Sequence, residues 1–475
     1  MRNLHLSLLA TTLAVSSILP TWAFDALKDR PTPPKSIFGE TPAKRDARRA
    51  WWTHDRFGMF IHFGLYSAAA RHEWVQSQER IAPDVYEKRY LPRFNPDLFD
   101  ARDWARRAKQ AGMKYIVLTT KHHDGFCLWD TKTTDYKITK TPFGRDVVRE
   151  YVEAARAEGL KVGFYYSIKD WHHPDYLIDQ THPLRPANGG FTDEIYARLN
   201  AGRDWNRYRD YMYAQVRELL TDYGKIDIIW YDYTIKTKYG KNWKHWESVE
   251  LMKLTRALQP GILVDSRLDL MDTEDGWDFV TPERCRVTQW PQVDGKNAPW
   301  ETCQTLTDDS WSYRRDEERW KSPHQLIELL INSVAFGGNL ILNVGPTGRG
   351  EFEPRACDRL DAIGAWMHVN SRAIYGCTAA PEGFKTPVDS ILTYNPKTNR
   401  LYIHLVNYPM GVLPFDFADK VEYAQFLHDA SELKIRKGDE IHHSQSGDLG
   451  RNDNIVLPMK KPNVEIPVIE LFLKD

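Results

Sequence analysis

Residues 115–130 read YIVLTTKHHDGFCLWD. An apolar and β-branched run with the pattern of a buried strand stops abruptly at Lys121, His122, His123 and Asp124. Runs of the same kind recur from about residue 56 and alternate with longer segments of helical period. RFGMFIHFG (56–64), KYIVLTT (114–120), KVGFYYS (161–167), IDIIWYD (226–232), ILVDS (262–266) and NLILNVGP (339–346) read as strands. DLFDARDWARRAKQAG (97–112), DVVREYVEAARAEG (146–159), NRYRDYMYAQVRELLTDYG (206–224), HWESVELMKLTRAL (245–258), SPHQLIELLINSVAFGG (322–338) and PRACDRLDAIGAWMHVNSRAIYG (354–376) read as helices. About six or seven βα repeats fit a (β/α)8-like barrel with degraded units better than an open doubly wound sheet, and no G-x-G-x-x-G follows the first strand. Between 268 and 320 the pattern blurs.

From about 380 the texture changes to short alternating stretches, SILTYNP, RLYIHLVNYP and NVEIPVIELFLK, separated by polar turns. This predicts a C-terminal β-sandwich over 380–475 after a (β/α)8-like catalytic domain over 24–379. The first residues, MRNLHLSLLATTLAVSSILPTWAFDA, have a basic start, an apolar run and small residues before a cut after Ala23, so 1–23 read as a signal peptide of a secreted or periplasmic protein. No later segment has the roughly 20 apolar residues of a membrane span.

Among 475 residues the formal charge is -1, with 27% charged side chains. That balance excludes the basic stripe of a nucleic-acid binder. The chain also carries 17 Trp and 23 Tyr, flat amphipathic rings that suit sugar faces as well as a large core. The five cysteines have no C-x-x-C spacing, which argues against a zinc ribbon, and their odd number leaves one without an intramolecular partner.

In a barrel the chemistry sits at the C-terminal strand ends. Here those ends carry His62, the pair His122 and His123, Tyr165 and Tyr166, Trp230 and Asp232, and Asp265 and Arg267. Side chains alternate along a strand, so His122 and His123 can point the same way only if the strand breaks between them, which makes the pair a poor metal signal. Neutral imidazoles, phenols and indoles around carboxylates suit hydroxyl groups that both donate and accept. Asp232 ends an apolar strand, where an ionised carboxylate needs partners or a function. Glu283 in WDFVTPERC and Glu301 in PWETC could each supply a second carboxylate, the requirement of glycoside hydrolysis.

Taken together, RFGMFIHFGLYS, HEWV, YIVLTTKHHDGFCLWD, KVGFYYS, IDIIWYD, TPE, WETC and GGNLILNVGPTGRG resemble, in order, the retaining α-L-fucosidases of glycoside hydrolase family 29. The resemblance implies a secreted exo-acting enzyme that hydrolyses terminal α-L-fucosyl residues of an oligosaccharide or glycoconjugate, with no metal and no organic cofactor. It implies Asp232 as nucleophile, His62, His122, His123, Tyr166, Trp230 and Arg267 in the fucose pocket, and Glu73 and Trp74 at the rim. Glu283 is the expected acid/base, since it lies nearer in sequence to Arg267, with Glu301 as the alternative. Phe63 and Tyr233 depart from residues common in the family, Trp and Gly respectively, which bears on the subsite beyond fucose. The competing reading is a non-catalytic glycan-binding protein on a decayed barrel.

Overall fold

The computed structural model describes residues 31–187, 190–232, 238–438 and 453–474. The expected signal peptide 1–23 and Tyr233 lie outside the described residues. Seven parallel strands form one curled sheet: β1 (Phe57–Ile61), β2 (Tyr115–Lys121), β3 (Lys161–Ser167), β4 (Ile228–Asp232), β5 (Leu263–Val264), β8 (Glu301–Thr305) and β9 (Asn339–Val344), while β6 (Gln292–Val293) and β7 (Lys296–Asn297) pair with each other outside it. Their order is β5-β4-β3-β2-β1-β9-β8. This leaves β5 and β8 as edges, and the stretch that blurs in the sequence fills the gap between them. Asp278 N donates to Val264 O at 2.7 Å, Glu301 N to Val280 O at 2.9 Å, and Arg284 N to Cys303 O at 3.0 Å. Residues 278–284 are therefore an irregular eighth stave, and they raise Glu283 to the same end of the barrel as Asp232.

Alternation along the strands divides the core. Phe60, Tyr115, Val117, Tyr165, Ile228, Trp230, Leu263, Phe279, Cys303 and Ile341 fill the barrel interior. Their sequence neighbours Met59, Ile61, Ile116, Leu118, Phe164, Tyr166, Ile229, Tyr231 and Leu342 join the outer core beneath the helices. Gly58 is required inside the barrel, because a Cβ there would lie 2.2 Å from the Tyr115 ring. The helices begin where the sequence supplies caps: Asp100 accepts from Arg102 N at 2.9 Å, and Ser322 and Gln325 form a reciprocal capping box.

After the helix Pro354–Asn370 the chain forms two antiparallel sheets. One contains β10 (Ser390–Asn395), β11 (Arg400–Leu405), β16 (Val468–Leu473) and β13 (Val421–Phe426); the other contains β12 (Val412–Phe415), β15 (Asp453–Val456) and β14 (Ile435–Arg436). Leu401, Ile403, Phe415, Ile455 and Leu471 pack between them. Tyr402, Leu427, Ile466 and Val468 continue the barrel's outer core, and Trp366 Nε1 donates to Ile466 O at 2.9 Å. The architecture is thus a (β/α)8-like barrel with a C-terminal β-sandwich. No helix among the described residues is long and apolar enough to cross a membrane, and all five cysteines are free thiols.

Candidate active site

At the C-terminal mouth a pocket is lined by Phe60, His62, Trp74, His122, His123, Tyr165, Trp230, Asp232, Arg267, Glu283, Cys303 and Trp311. That is the composition of a small-ligand site, apolar walls with a few convergent polar groups. Strand parity brings Asp232 inward with Ile228 and Trp230. Arg267 Nη1 donates to Asp232 Oδ1 at 2.8 Å, and the Tyr165 hydroxyl donates to Oδ2 at 2.7 Å. Burial pushes the Asp232 carboxyl above the usual aspartate range; the Arg267 charge opposes this and the Glu283 charge adds to it. The other arm of the same guanidinium, Arg267 Nη2, donates to Glu283 Oε2 at 2.7 Å. One carboxylate is recessed, its side chain 10% exposed, and the other stands at the opening, 42% exposed.

The histidines line the same cavity. β2 ends at Lys121 after a register irregularity between Thr119 and Lys121, and this break lets both following rings enter the cavity. Their centroids are 4.2 Å apart. His123 Nδ1 pairs with Ser167 Oγ at 2.6 Å, and its Nε2 lies 3.7 Å from Asp232 Oδ2. His62 Nδ1 pairs with Asn343 Oδ1 at 2.6 Å. Burial carries the His62 pKa down to about 3 and those of His122 and His123 well below the usual value, so all three rings are neutral near pH 7. A neutral imidazole offers one donor and one acceptor, as a sugar hydroxyl requires. Among the described residues no group of three or more His, Cys, Asp or Glu is placed to hold a metal ion.

Four sequence expectations need correction. Tyr166 does not face the cavity: its hydroxyl accepts from Lys121 Nζ at 2.9 Å and donates to Gln215 Oε1 at 2.8 Å, beneath the helices. Tyr165 takes that place. The alternation in KVGFYYS carried the signal, since Tyr165 shares parity with Gly163 and Ser167, the small and polar positions of a narrow interior. Glu301 is remote from the mouth because it begins β8; at the opposite end of the barrel it accepts from Tyr115 OH at 2.5 Å and Trp52 Nε1 at 3.2 Å. Phe63 packs on Phe94, Phe99 and Trp104 in the outer core. Glu73 lies behind the wall: its Oε2 accepts from Ser310 Oγ at 3.2 Å and from the backbone of Trp311 and Ser312 at 3.1 Å each, which pins Trp311. Trp74 does line the cavity. Ser167 and Asn343, which orient two of the histidines, carry no sequence signal beyond being polar residues near strand ends.

Two carboxylates held by one guanidinium, facing a pocket of neutral hydroxyl-binding rings at the mouth of a (β/α)8-like barrel, define a glycoside hydrolase. The sequence matches the alpha-L-fucosidase family over residues 31–372, and the chain belongs to that family. An alpha-L-fucosidase of Dictyostelium discoideum is 28% identical over 383 residues, 75% of this chain and 74% of that protein. The structure of alpha-L-fucosidase isoenzyme 1 from Paenibacillus thiaminolyticus is 42% identical, with a TM-score of 0.82 over 91% of this chain and 100% of that one. A family 29 alpha-L-fucosidase from Bacteroides thetaiotaomicron, solved as a trapped covalent intermediate with 2-fluoro-fucosyl fluoride in a glutamate-to-glutamine mutant, is 28% identical. Its TM-score is 0.74 over 94% of this chain and 98% of that one.

Proposed function

We propose that this alpha-L-fucosidase acts from the non-reducing end of fucosylated oligosaccharides or glycoconjugates with net retention. Asp232 attacks the anomeric carbon, while Glu283 first protonates the departing oxygen and then deprotonates the incoming water. The observation that carries this reading is the single guanidinium of Arg267 bridging both carboxylates. Retention requires carboxyl groups about 5 to 5.5 Å apart, whereas inversion needs about 6.5 to 9.5 Å for an intervening water. A shared guanidinium favours the shorter gap. The trapped covalent intermediate of the Bacteroides relative supports the same course.

His62, Trp74, His122, His123, Tyr165, Trp230 and Arg267 hold the fucose. Phe60, Trp230 and Trp311 present apolar surface to its methyl group: Trp311 lies 5.2 Å from the His62 ring and 6.3 Å from Phe60, centroid to centroid. The barrel portion over 24–379 carries the chemistry, the 380–475 portion is accessory, and the 1–23 segment directs export. The segments 176–204 and 233–247 select the linkage.

Incubation with an aryl α-L-fucoside and with α-1,2, α-1,3, α-1,4 and α-1,6 fucosyl glycans tests the activity. Release of fucose from at least one is expected, and release from none would refute the reading. An aryl α-L-galactoside should be cleaved slowly. Burying the fucose methyl contributes about 1 kcal/mol, and an unpaired hydroxyl in its place costs about 1 to 3 kcal/mol. Equal rates on the two sugars would exclude the apolar wall.

A further inference from the structure

Two of the pocket histidines are held at Nδ1 by partners whose own protons are already committed. Ser167 ends β3, and its hydroxyl turns back on its own chain: Oγ donates to Lys169 O at 2.7 Å and accepts from Lys169 N at 3.2 Å. A carbonyl oxygen only accepts, so the single hydroxyl proton of Ser167 points at Lys169 O. The 2.6 Å contact between Ser167 Oγ and His123 Nδ1 therefore needs a proton from the ring. With it the hydroxyl makes one donated and two accepted bonds, its full capacity. Asn343, in β9, constrains His62 in the same way. Its Nδ2 donates to Trp311 O at 2.5 Å, which turns Oδ1 toward His62 Nδ1 at 2.6 Å. The flipped amide would set its oxygen against the Trp311 carbonyl. Because Oδ1 only accepts, His62 Nδ1 is also a donor.

A neutral imidazole has one ring proton, and burial keeps both of these rings neutral. With that proton on Nδ1, Nε2 is a bare lone pair, and it is the one ring nitrogen left for a ligand to meet. On His123 this atom lies 3.7 Å from Asp232 Oδ2. Two acceptors thus face each other beyond hydrogen-bonding distance, and Asp232 takes its hydrogen bonds from Arg267 and Tyr165 instead. His122 differs from its neighbours: its Nδ1 has no hydrogen-bond partner among the described residues, so neither tautomer is imposed on it there.

We propose that Ser167 and Asn343 are specificity-determining positioning residues, which lock His123 and His62 in the Nδ1–H form so that each ring presents only an acceptor and the fucose hydroxyl that meets it must donate. This rests on the assignment of the pocket to fucose above and adds a direction to its hydrogen bonds. A substituent that accepts but cannot donate, such as a fluorine or an ether oxygen, is refused at these two points. The lock also serves the reaction. A proton on His123 Nε2 would stand against the attacking carboxylate and hold back its lone pairs, whereas the Nδ1–H form adds no donor to those that Asp232 already has.

The test reads the ring protons directly, from long-range 1H–15N correlations of the full-length protein labelled at its histidines. The signals lost in His62→Gln and His123→Gln identify the two rings. Near pH 7 each should show a protonated Nδ1 and a bare Nε2. Ser167→Ala removes the acceptor from His123 alone, so that ring should move toward the Nε2–H form while His62 keeps its pattern, and kcat/KM should fall about 10-fold. Binding gives a second readout. L-Fucose and its analogues with fluorine or hydrogen in place of one hydroxyl, at C2, C3 or C4, are compared as competitive inhibitors. At the two positions that meet His62 and His123 the fluoro analogue should bind as weakly as the deoxy analogue, each about 10-fold more weakly than L-fucose. The wild-type spectrum and the inhibitor series decide the matter even where Ser167→Ala fails to fold. A protonated Nε2 on either wild-type ring, or fluoro analogues that all bind as tightly as L-fucose, overturns this inference alone. A wild-type protein that releases no fucose overturns the reading of the pocket beneath it, whatever the ring protons show.

Discussion

Asp232→Gly should lower kcat/KM on an aryl α-L-fucoside by roughly 10⁴-fold, a loss of about 5.5 kcal/mol of transition-state stabilisation at 1.36 kcal/mol per tenfold. The side chain ends β4 facing the cavity, and its two oxygens are occupied by Arg267 and Tyr165, so no neighbouring carboxylate can take its place. Breaking a buried ion pair ordinarily costs about 3 to 5 kcal/mol of stability. Here the cost is smaller, because Arg267 keeps its bond to Glu283. The variant should therefore fold, and the vacated space beside a cation should admit azide, which restores part of the rate by forming fucosyl azide. Steady-state rates with and without azide check this. A variant with ordinary activity excludes Asp232 as nucleophile.

Glu283→Gln should act differently according to the leaving group. General acid catalysis contributes about 10² to 10⁴-fold, and an activated phenol that departs without protonation needs little of it. A large loss is expected on fucosyl glycans and a small one on an activated aryl fucoside. Glu283 is the more exposed carboxylate, at the rim where a leaving group exits, and its replacement leaves the Arg267 to Asp232 contact in place. Comparing the two substrate classes in one variant checks the role. Equal losses on both would assign Glu283 to positioning Arg267.

The first four barrel strands were legible because each is a run of apolar residues that stops at a polar one. The fifth has only two residues in register, and the eighth stave, 278–284, contains Asp278, Thr281 and Pro282, with no apolar alternation to reveal it. Glu301–Thr305 is a fully buried strand written in polar letters, ETCQT, so its direction could not be read. That is why Glu301 stood as an acid/base candidate: a residue that opens a barrel strand faces the closed end, but only a recognised strand has ends. Tyr166 departs from expectation for another reason: the inward parity of β3 is carried only by the small and polar Gly163 and Ser167 on either side of Tyr165, a weak mark between two adjacent tyrosines, and the structure pairs Tyr165 with Trp230 and Ser167 with Asp232. The two histidines enter one cavity because β2 ends at Lys121, one residue before them.

Both the course of the reaction and the identity of the nucleophile are decided by one measurement, reaction with 2-fluoro-fucosyl fluoride followed by peptide mapping. The fluorine at C2 destabilises the oxocarbenium-like transition states of both steps, while the activated fluoride leaving group keeps the first step fast, so a covalent glycosyl-enzyme accumulates. One 2-fluoro-fucosyl group is predicted on the peptide that contains Asp232, attached through that carboxylate, with activity returning as the adduct turns over. An active enzyme that forms no adduct, or carries it on any other residue, would contradict the account.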